Sequence, residues 1–508
     1  MTRNLTRRHF LEASGAVAFA ALMAACGAPT PTATSAPKPA SAPAAPPTQA
    51  PAKTADAAKP ADTTKPADTT KPAPAAAPAK ADAPGAGQTI AALGRNYLAN
   101  PGVKGDLTFS NCWAGARIPL VDQWIKDFIA IYPNVKIAND VGACAPLRDK
   151  QVASIAAGAP ANVLMIQSAN TAFFAEQQAL DPIDDLMKRD AVGRDWFYKA
   201  EYDSRTWDAK TYGLPNVTGG ASAMLWVNKG LLKKMGVDPE KKFETWQDVE
   251  SLVEPAKKAG LLVLDPMKGT TGHMQHTYAN GGKYWNDELT KITWNAPEGV
   301  EAMEFLLKFV KAQVPKYEDL AIASEAGRKD VIQITDWAPE KFVTMINGSW
   351  GFFNMKQQAA HIDYSVFPLP RNASNANSKG FTANSGGWMF SIPKAAKDKD
   401  AAWEFIKFTT TSERACWFVK QQNRPSPVLA CNEDPELSRG NPYWKVVTQD
   451  LQNNVMVPHS PVSPQLQDIY WKMEEDVMFQ KATPKQALDN AAREGQKLLD
   501  DWNSKRKK

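Results

Sequence analysis

The chain has 508 residues, 59 basic and 54 acidic, for a formal net charge of +5. That charge is unevenly placed: residues 1–25 carry a net +2, residues 27–88 another +2, and everything beyond only +1. A basic balance confined to the N-terminal part removes the footprint expected of a nucleic-acid binder, and the remaining ~420 residues are too many for one ordinary core and enough for two lobes.

The N-terminus reads as an address. Thr6-Arg7-Arg8-His9-Phe10-Leu11 places twin arginines before a hydrophobic pair, as in a twin-arginine export signal, although Glu12 stands where such signals often carry lysine. The apolar stretch Ala16 to Ala25 is shorter than the ~20 residues needed to span a bilayer. It ends in Leu22-Met23-Ala24-Ala25-Cys26-Gly27, which resembles a bacterial lipobox, in which small residues admit the signal peptidase and the cysteine thiol takes a diacylglyceryl group. The expectation is a lipoprotein signal over 1–25 and an exported chain anchored through Cys26 at the outer face of the cytoplasmic membrane. Cleavage after Ala25 without lipidation is the alternative.

Residues 26–88 then read as a stalk. The segment 27–88 holds 14 of the 38 prolines, and Lys59-Pro60-Ala61-Asp62-Thr63-Thr64 repeats as Lys65-Pro66-Ala67-Asp68-Thr69-Thr70. Such composition buries too little apolar surface to offset chain entropy.

From residue 105 onward the pattern changes to strands alternating with helices. Leu107 to Ser110 predicts a strand. Apolar residues at 121, 124, 125, 128, 129 and 132 predict a helix started by Pro119 and stopped before Pro133. Val135 to Ile137 predicts a second strand, Leu147 to Ala157 a helix, Asn162 to Ile166 a third strand and Thr171 to Gln178 another helix. That alternation implies crossovers, a parallel sheet covered on both faces, and ligands outside the carboxyl ends of strands. The loops Cys112-Trp113-Ala114-Gly115 and Gln167-Ser168-Ala169-Asn170 occupy those positions.

Removing Cys26 leaves Cys112, Cys144, Cys416 and Cys431. An even count in an exported domain suggests disulfides. Of the three pairings, the local ones, Cys112–Cys144 and Cys416–Cys431, are favoured; four unpaired buried thiols are the alternative. With no close C-x-x-C pair a metal site from these cysteines is not expected, and no cofactor is implied.

Further along stand Thr211-Tyr212-Gly213-Leu214-Pro215, Leu225-Trp226-Val227-Asn228-Lys229-Gly230, Glu244-Thr245-Trp246, Asn280-Gly281-Gly282, Met345-Ile346-Asn347-Gly348-Ser349-Trp350, Ser385-Gly386-Gly387-Trp388 and Ala401-Ala402-Trp403-Glu404-Phe405-Ile406. Their order and spacing resemble the extracellular solute-binding family that includes maltose-binding protein and other carbohydrate receptors of ABC importers, over about residues 105 to 503. The resemblance implies an α/β fold of two lobes, each a parallel or mixed sheet flanked by helices. The lobes would be 89–216 with 388–430, and 217–387 with 431–508, joined by hinge strands. Crossings would fall near Asn216, near Gly387 and after about Val428, and the C-terminal helix, with Ala491, Leu498, Leu499 and Trp502 on one side, would pack on the second lobe. It further implies a small-molecule ligand held in the cleft, an ABC permease as partner, a monomer, and hinge closure rather than covalent chemistry as the working step.

All 16 tryptophans lie beyond the stalk, and a sugar ring packs its apolar face on an aromatic plane while its hydroxyls take amides and carboxylates. Trp350 stands where the family's Asn-Gly-x-Trp motif supplies a stacking ring, and leads the ligand-binding candidates. Trp388 after the glycines Gly386 and Gly387, Trp113 after the first strand, and Trp285 follow, each with core packing as its alternative. Trp246 and Trp403 match positions of helix packing. Gln167, Ser168 and Asn170 are the polar candidates, with Asn216 and Asp336 weaker. Relatives that bind maltose carry acidic residues near Gln167 and this chain has none, which argues against malto-oligosaccharides. Arg117 and Arg424 would grip a carboxylate or phosphate if the ligand is anionic, although solvated surface is the commoner fate of arginine.

Other function classes have weaker support. Asn347-Gly348-Ser349-Trp350-Gly351 imitates a nucleophile elbow, but Asn347 replaces the first glycine and no histidine is near in sequence. His273-Met274-Gln275-His276 has metal-compatible spacing without an acidic or cysteine neighbour. A glycosidase-like enzyme needs only two carboxylates and stays open. A receptor for a non-sugar solute, such as a polyol phosphate, polyamine or peptide, is the alternative to a carbohydrate receptor, and an adhesion lipoprotein is a further one.

Overall fold

The computed structural model describes residues 88–92, 95–267, 272–286, 288–314, 317, 340–384, 386–411 and 413–506. The signal segment, Cys26, the stalk up to residue 87, Asp336 and Ser385 lie outside the described residues.

In chain order β1 (Gly105–Asn111), α1 (Ile118–Ile131), β2 (Val135–Val141), α2 (Leu147–Ala156), β3 (Val163–Gln167) and α3 (Thr171–Glu176) alternate as the sequence predicts. Pro119 sits in the first turn of α1, where a missing N–H costs nothing, and Val121, Trp124, Ile125 and Phe128 form its buried stripe. The helix ends at Tyr132 because Pro133 cannot continue it. Next come α4 (Lys199–Asp203), β4 (Leu214–Val217), β5 (Met224–Asn228), α5 (Pro297–Gln313), β6 (Thr344–Asn347), α6 (Gly351–Gln358), β7 (Tyr364–Phe367) and β8 (Trp388–Ser391). The chain closes with α7 (Lys399–Thr411), α8 (Glu413–Gln421), α9 (Trp444–Asn453), α10 (Ser463–Met478) and α11 (Pro484–Arg506).

Two sheets result. The first runs β2-β1-β3-β8-β4, with β1 parallel to β2 and β3 while β8 is antiparallel to β3 and β4. The second runs β6-β5-β7, antiparallel throughout, with a parallel bridge from Leu262 to Phe342 alongside. The first is therefore mixed, and the second gains a parallel neighbour only through that bridge. Each has its own core. Phe109, Trp124, Phe128, Phe390, Phe405 and Phe418 fill the first; Trp226, Trp246, Phe305, Ile346, Leu488 and Leu499 belong to the second. Each such side chain contributes about 1.5–3 kcal/mol of burial. Trp403 is fully buried in the first core with its Nε1 donating to Asp190 (2.7 Å), and Trp246 stacks on Phe305 at 4.5 Å in the second. Ala491 and Leu499 of α11 are buried in the second core, with Leu498 and Trp502 packed at its edge.

Cys112 bonds Cys144 and Cys416 bonds Cys431, the local pairing. The first ties the loop after β1 to the loop before α2; the second ties α8 to the turn that follows it. Cys431 packs in the first core and Val447 in the second, so the chain makes its last passage between them.

The segments that pass between the sheets touch one another. Gly386 and Gly387 have φ of +87° and +59°, which side chains other than glycine's rarely adopt, and a Cβ on Gly387 would lie 2.2 Å from the Val217 carbonyl oxygen. Two buried carboxylates hold these segments. Glu201 of α4 accepts from the backbone N–H of Gly219 (3.1 Å) and Gly220 (3.2 Å), from the Thr218 hydroxyl and from Asn384 Nδ2 (3.1 Å). Asp450 of α9 accepts from the Ala221 N–H (2.7 Å) and the Thr382 hydroxyl (2.8 Å). Each carboxylate thus bridges the outgoing and the returning segment, one from each lobe.

Candidate functional site

The two lobes meet around Trp350. The sequence Asn347-Gly348-Ser349 carries the chain from the end of β6 into α6, and Trp350 is the residue at the helix N-cap. Its ring folds back over Gly348, where a Cβ would lie 2.2 Å from Trp350 Cζ3, so only glycine fits two residues before this tryptophan. The Ser349 N–H donates to the Ala221 carbonyl (2.8 Å), which fixes the turn to the hinge.

From the first lobe two arginines reach this turn. Arg117, just before α1, donates from Nη2 to the Trp350 carbonyl (3.4 Å) and from Nε to Gln422 Oε1 (2.9 Å), and its guanidinium lies 4.7 Å from the Phe353 ring centre. Arg424, just after α8, donates from Nη2 to the Thr218 carbonyl (3.4 Å), and its Cζ lies 6.0 Å from the Trp350 ring centre. Both are buried, at 8% and 5% exposure. Among the described residues neither is in a salt bridge. Burial lowers the Arg117 pKa to about 10, and burial followed by the charge of Arg117 lowers that of Arg424 to about 9, so both stay protonated at neutral pH. Arg424 Nε, Trp350 Nε1 and Ser349 Oγ are buried without a hydrogen-bond partner.

A second group lies at the end of the first sheet. Gln167, the exposed last residue of β3, is directly opposite the half-buried Trp388 at the start of β8, which puts their side chains on one face. The Ser168 N–H donates to the Gly387 carbonyl (2.9 Å), and Ser168 Oγ is fully buried without a partner. Asn170 closes the single helical turn Ser168–Asn170 and is 9% exposed. Beneath Trp388, Arg205 donates from Nη2 to the Trp388 carbonyl (3.2 Å) and from Nη1 to Glu201 Oε2 (3.0 Å).

The remaining expected residues are placed apart. Trp113 is 6% exposed and packs against Phe109, Trp124, Phe390 and Phe418, as the core alternative had it. Its strand runs into that aromatic cluster, and the Asn111 side chain holds the Trp113 N–H (3.0 Å). Trp285 bridges to Ile292 and belongs to the second core. Asn216 turns to the opposite face of its strand and donates to the Thr409 carbonyl of α7 (3.2 Å). Thus Gln167, Ser168, Gly387 and Trp388 come together, and Trp350 comes together with Arg117 and Arg424. His273 spends both ring nitrogens within the second lobe, on Tyr470 Oη (2.5 Å) and the Gly299 carbonyl (2.6 Å). The hinge carboxylates Glu201 and Asp450 escaped sequence reading, because each sits in an ordinary amphipathic helix with no local signature.

The junction between the two sheets thus brings together an aromatic ring, polar strand ends and close-packed glycines. The model of the bacterial extracellular solute-binding protein family matches residues 118–415, and the chain belongs to that family, the solute-binding components of ABC importers. Its members bind substrates and work outside the cytoplasm with ABC permeases. Among curated proteins the chain is similar to the sn-glycerol-3-phosphate-binding periplasmic protein UgpB of Escherichia coli K12, 24% identical over 437 residues that cover 80% of this chain and 95% of the relative. It is also 25% identical to the protein of that name from Pectobacterium atrosepticum, over 68% of this chain and 80% of that one. Among solved structures it resembles the ABC substrate-binding protein Lmo0181 of Listeria monocytogenes in complex with cycloalternan (TM-score 0.67, 21% identity, 78% of this chain and 99% of that one). A Thermotoga lettingae solute-binding protein bound with α-D-tagatose is similar too (TM-score 0.66, 21% identity, 78% and 100%). These likenesses show the two-lobed periplasmic-binding-protein fold. No helix among the described residues is long and apolar enough to cross a membrane.

Proposed function

We propose that this chain captures a polyhydroxylated solute, a mono- or oligosaccharide or a close polyol relative, between Trp350 of the second lobe and the polar strand ends Gln167 to Asn170 of the first. The observation that carries this reading is the position of Trp350: its ring sits at the lobe junction, half-buried, on a turn tied to the hinge. A sugar's apolar face would stack there while hydroxyls take the polar groups opposite. Contacts made with both lobes exist only when the lobes are together, so binding shifts the hinge toward closure. The structural neighbours with cycloalternan and tagatose support a carbohydrate.

A polyol phosphate is the second reading, favoured by the UgpB relatives and by the two arginines at Trp350. The domain division near Asn216, Gly387 and the stretch after Val428, lipid attachment at Cys26, the stalk, the monomeric state and action on a cognate permease complete the proposal. The reading of this chain as a receptor and not a hydrolase is supported by its membership of a family of substrate-binding proteins.

The test is a thermal-shift screen against sugars, polyols, their phosphates, amino acids and polyamines. A ligand at 100 times its Kd adds about 2.7 kcal/mol of stability. A melting shift with a sugar or polyol derivative, without turnover, is the expected result; a shift only with amino acids or polyamines would overturn it.

A further inference from the structure

We propose that the ligand of this cleft carries an oxyanion, a phosphate ester or a carboxylate on a polyhydroxylated frame, and that Arg117 and Arg424 clamp it beside Trp350. This deepens the polyhydroxylated-solute reading and rests on it.

The argument starts from charge accounting. A buried cation is costly unless an anion or a full set of acceptors meets it, and elsewhere this chain obeys the rule. Lys407, fully buried, meets Asp190 at 2.5 Å and Glu404 at 2.8 Å. Arg205, fully buried, meets Glu201 at 3.0 Å. Arg117 and Arg424 are buried too, at 8% and 5% exposure, and among the described residues have no carboxylate opposite, only one amide oxygen and two carbonyls, the carbonyls at the long distance of 3.4 Å. The carboxylate nearest in influence, Glu201, is already engaged by Arg205, Thr218, Gly219, Gly220 and Asn384.

The other groups left over at this spot are of the same kind. Arg424 Nε and Trp350 Nε1 are donors, and the Ser349 hydroxyl can donate. The positive end of α6, eight residues long with no side-chain cap, begins at the same turn. Among the described residues, two guanidinium groups, an indole N–H and a hydroxyl thus lie around one turn with no acceptor of matching charge. A neutral sugar would leave both cations unmatched. A phosphate or carboxylate matches them, since guanidinium pairs bidentately with such oxyanions. Arg424 also feels the charge of Arg117, and an anion between the two would turn that repulsion into attraction.

The test is calorimetric titration of the full-length chain with matched pairs: glucose 6-phosphate, gluconate and glucose, and sn-glycerol 3-phosphate with glycerol, with inorganic phosphate as a further probe. The expected result is that at least one phosphate or carboxylate binds and its neutral partner binds about 100-fold more weakly or not at all, with affinity falling as salt rises. Arg424→Gln and Arg117→Gln should each weaken the charged ligand about 10- to 100-fold, as loss of a charged hydrogen-bond donor does, and leave or raise the melting temperature of the unliganded protein. The phosphate and carboxylate arms tell which oxyanion is preferred. A neutral sugar binding as tightly as its phosphate would overturn this inference and leave the receptor reading standing. Silence from every polyol, charged or neutral, would overturn both. The comparison within the unaltered chain decides the matter even if a variant misfolds.

Discussion

At the hinge, Glu201 and Arg205 face each other at 3.0 Å, and the carboxylate also accepts from Gly219, Gly220 and Asn384 of the crossing segments. Around Trp350, Arg117 and Arg424 are also buried, yet among the described residues their charge is answered by neutral oxygens alone. The contrast separates two uses of buried charge. Where the chain itself supplies both partners, the charge fixes the hinge segments against each other. Where it supplies one sign only, the other is left for what binds.

The largest effects are expected where the chain is self-sufficient. Trp113→Ala, in the aromatic core, should cost about 3–5 kcal/mol in chemical denaturation, while a cost below 1 kcal/mol would return this residue to the cleft. Glu201→Gln strands the fully buried Arg205 and should cost a similar ~3–5 kcal/mol. An unchanged unfolding midpoint would show that the hinge does not depend on this pair.

Asp450 gives an intermediate effect with a definite sign. Burial pushes its carboxyl up to about 6. The folded chain therefore holds the proton more tightly than the unfolded one, and stability falls as pH rises from about 4 to about 6, then levels. The contribution is on the order of 2–3 kcal/mol. Asp450→Asn keeps an acceptor for Ala221 and Thr382 and should lack this slope, so the wild-type-minus-mutant stability falls from about pH 4 to about pH 6 and is flat above. Denaturation curves at pH 4 and pH 6.5 check this; parallel pH profiles would contradict it.

The smallest effect on stability, and the largest on binding, belongs to Trp350→Ala. The ring is half-buried and lies against Gly348 and Arg424, so its loss should change unliganded stability by less than ~1 kcal/mol while raising Kd about tenfold or more.

Much of the fold was legible because its signals are local. The helical spacing from Val121 to Phe128 between two prolines gave α1, and the β–α alternation gave the first sheet. The local disulfides followed from cysteine spacing, and the ordered motifs gave the second lobe. The site was legible only in part. Trp350 stood out by its motif, whereas the arginines had solvated surface as their commoner reading and only the structure shows them buried. Trp113 and Asn216 also stood at strand ends, but which face a side chain takes depends on strand register and on the helix packed behind it, here α7 and the cluster around Phe418. Glu201 and Asp450 were illegible because their partners are backbone N–H groups of distant segments, which no local pattern encodes.

The central claim is that a solute closes the lobes on Trp350. Dyes on Lys136→Cys in the first lobe and Lys258→Cys in the second, both exposed, in a Cys26→Ala chain, report the interlobe distance by energy transfer. The account predicts that the solute which raises the melting temperature also shortens this distance, and that Trp350→Ala abolishes the shortening. A saturating solute that leaves the distance unchanged would contradict it.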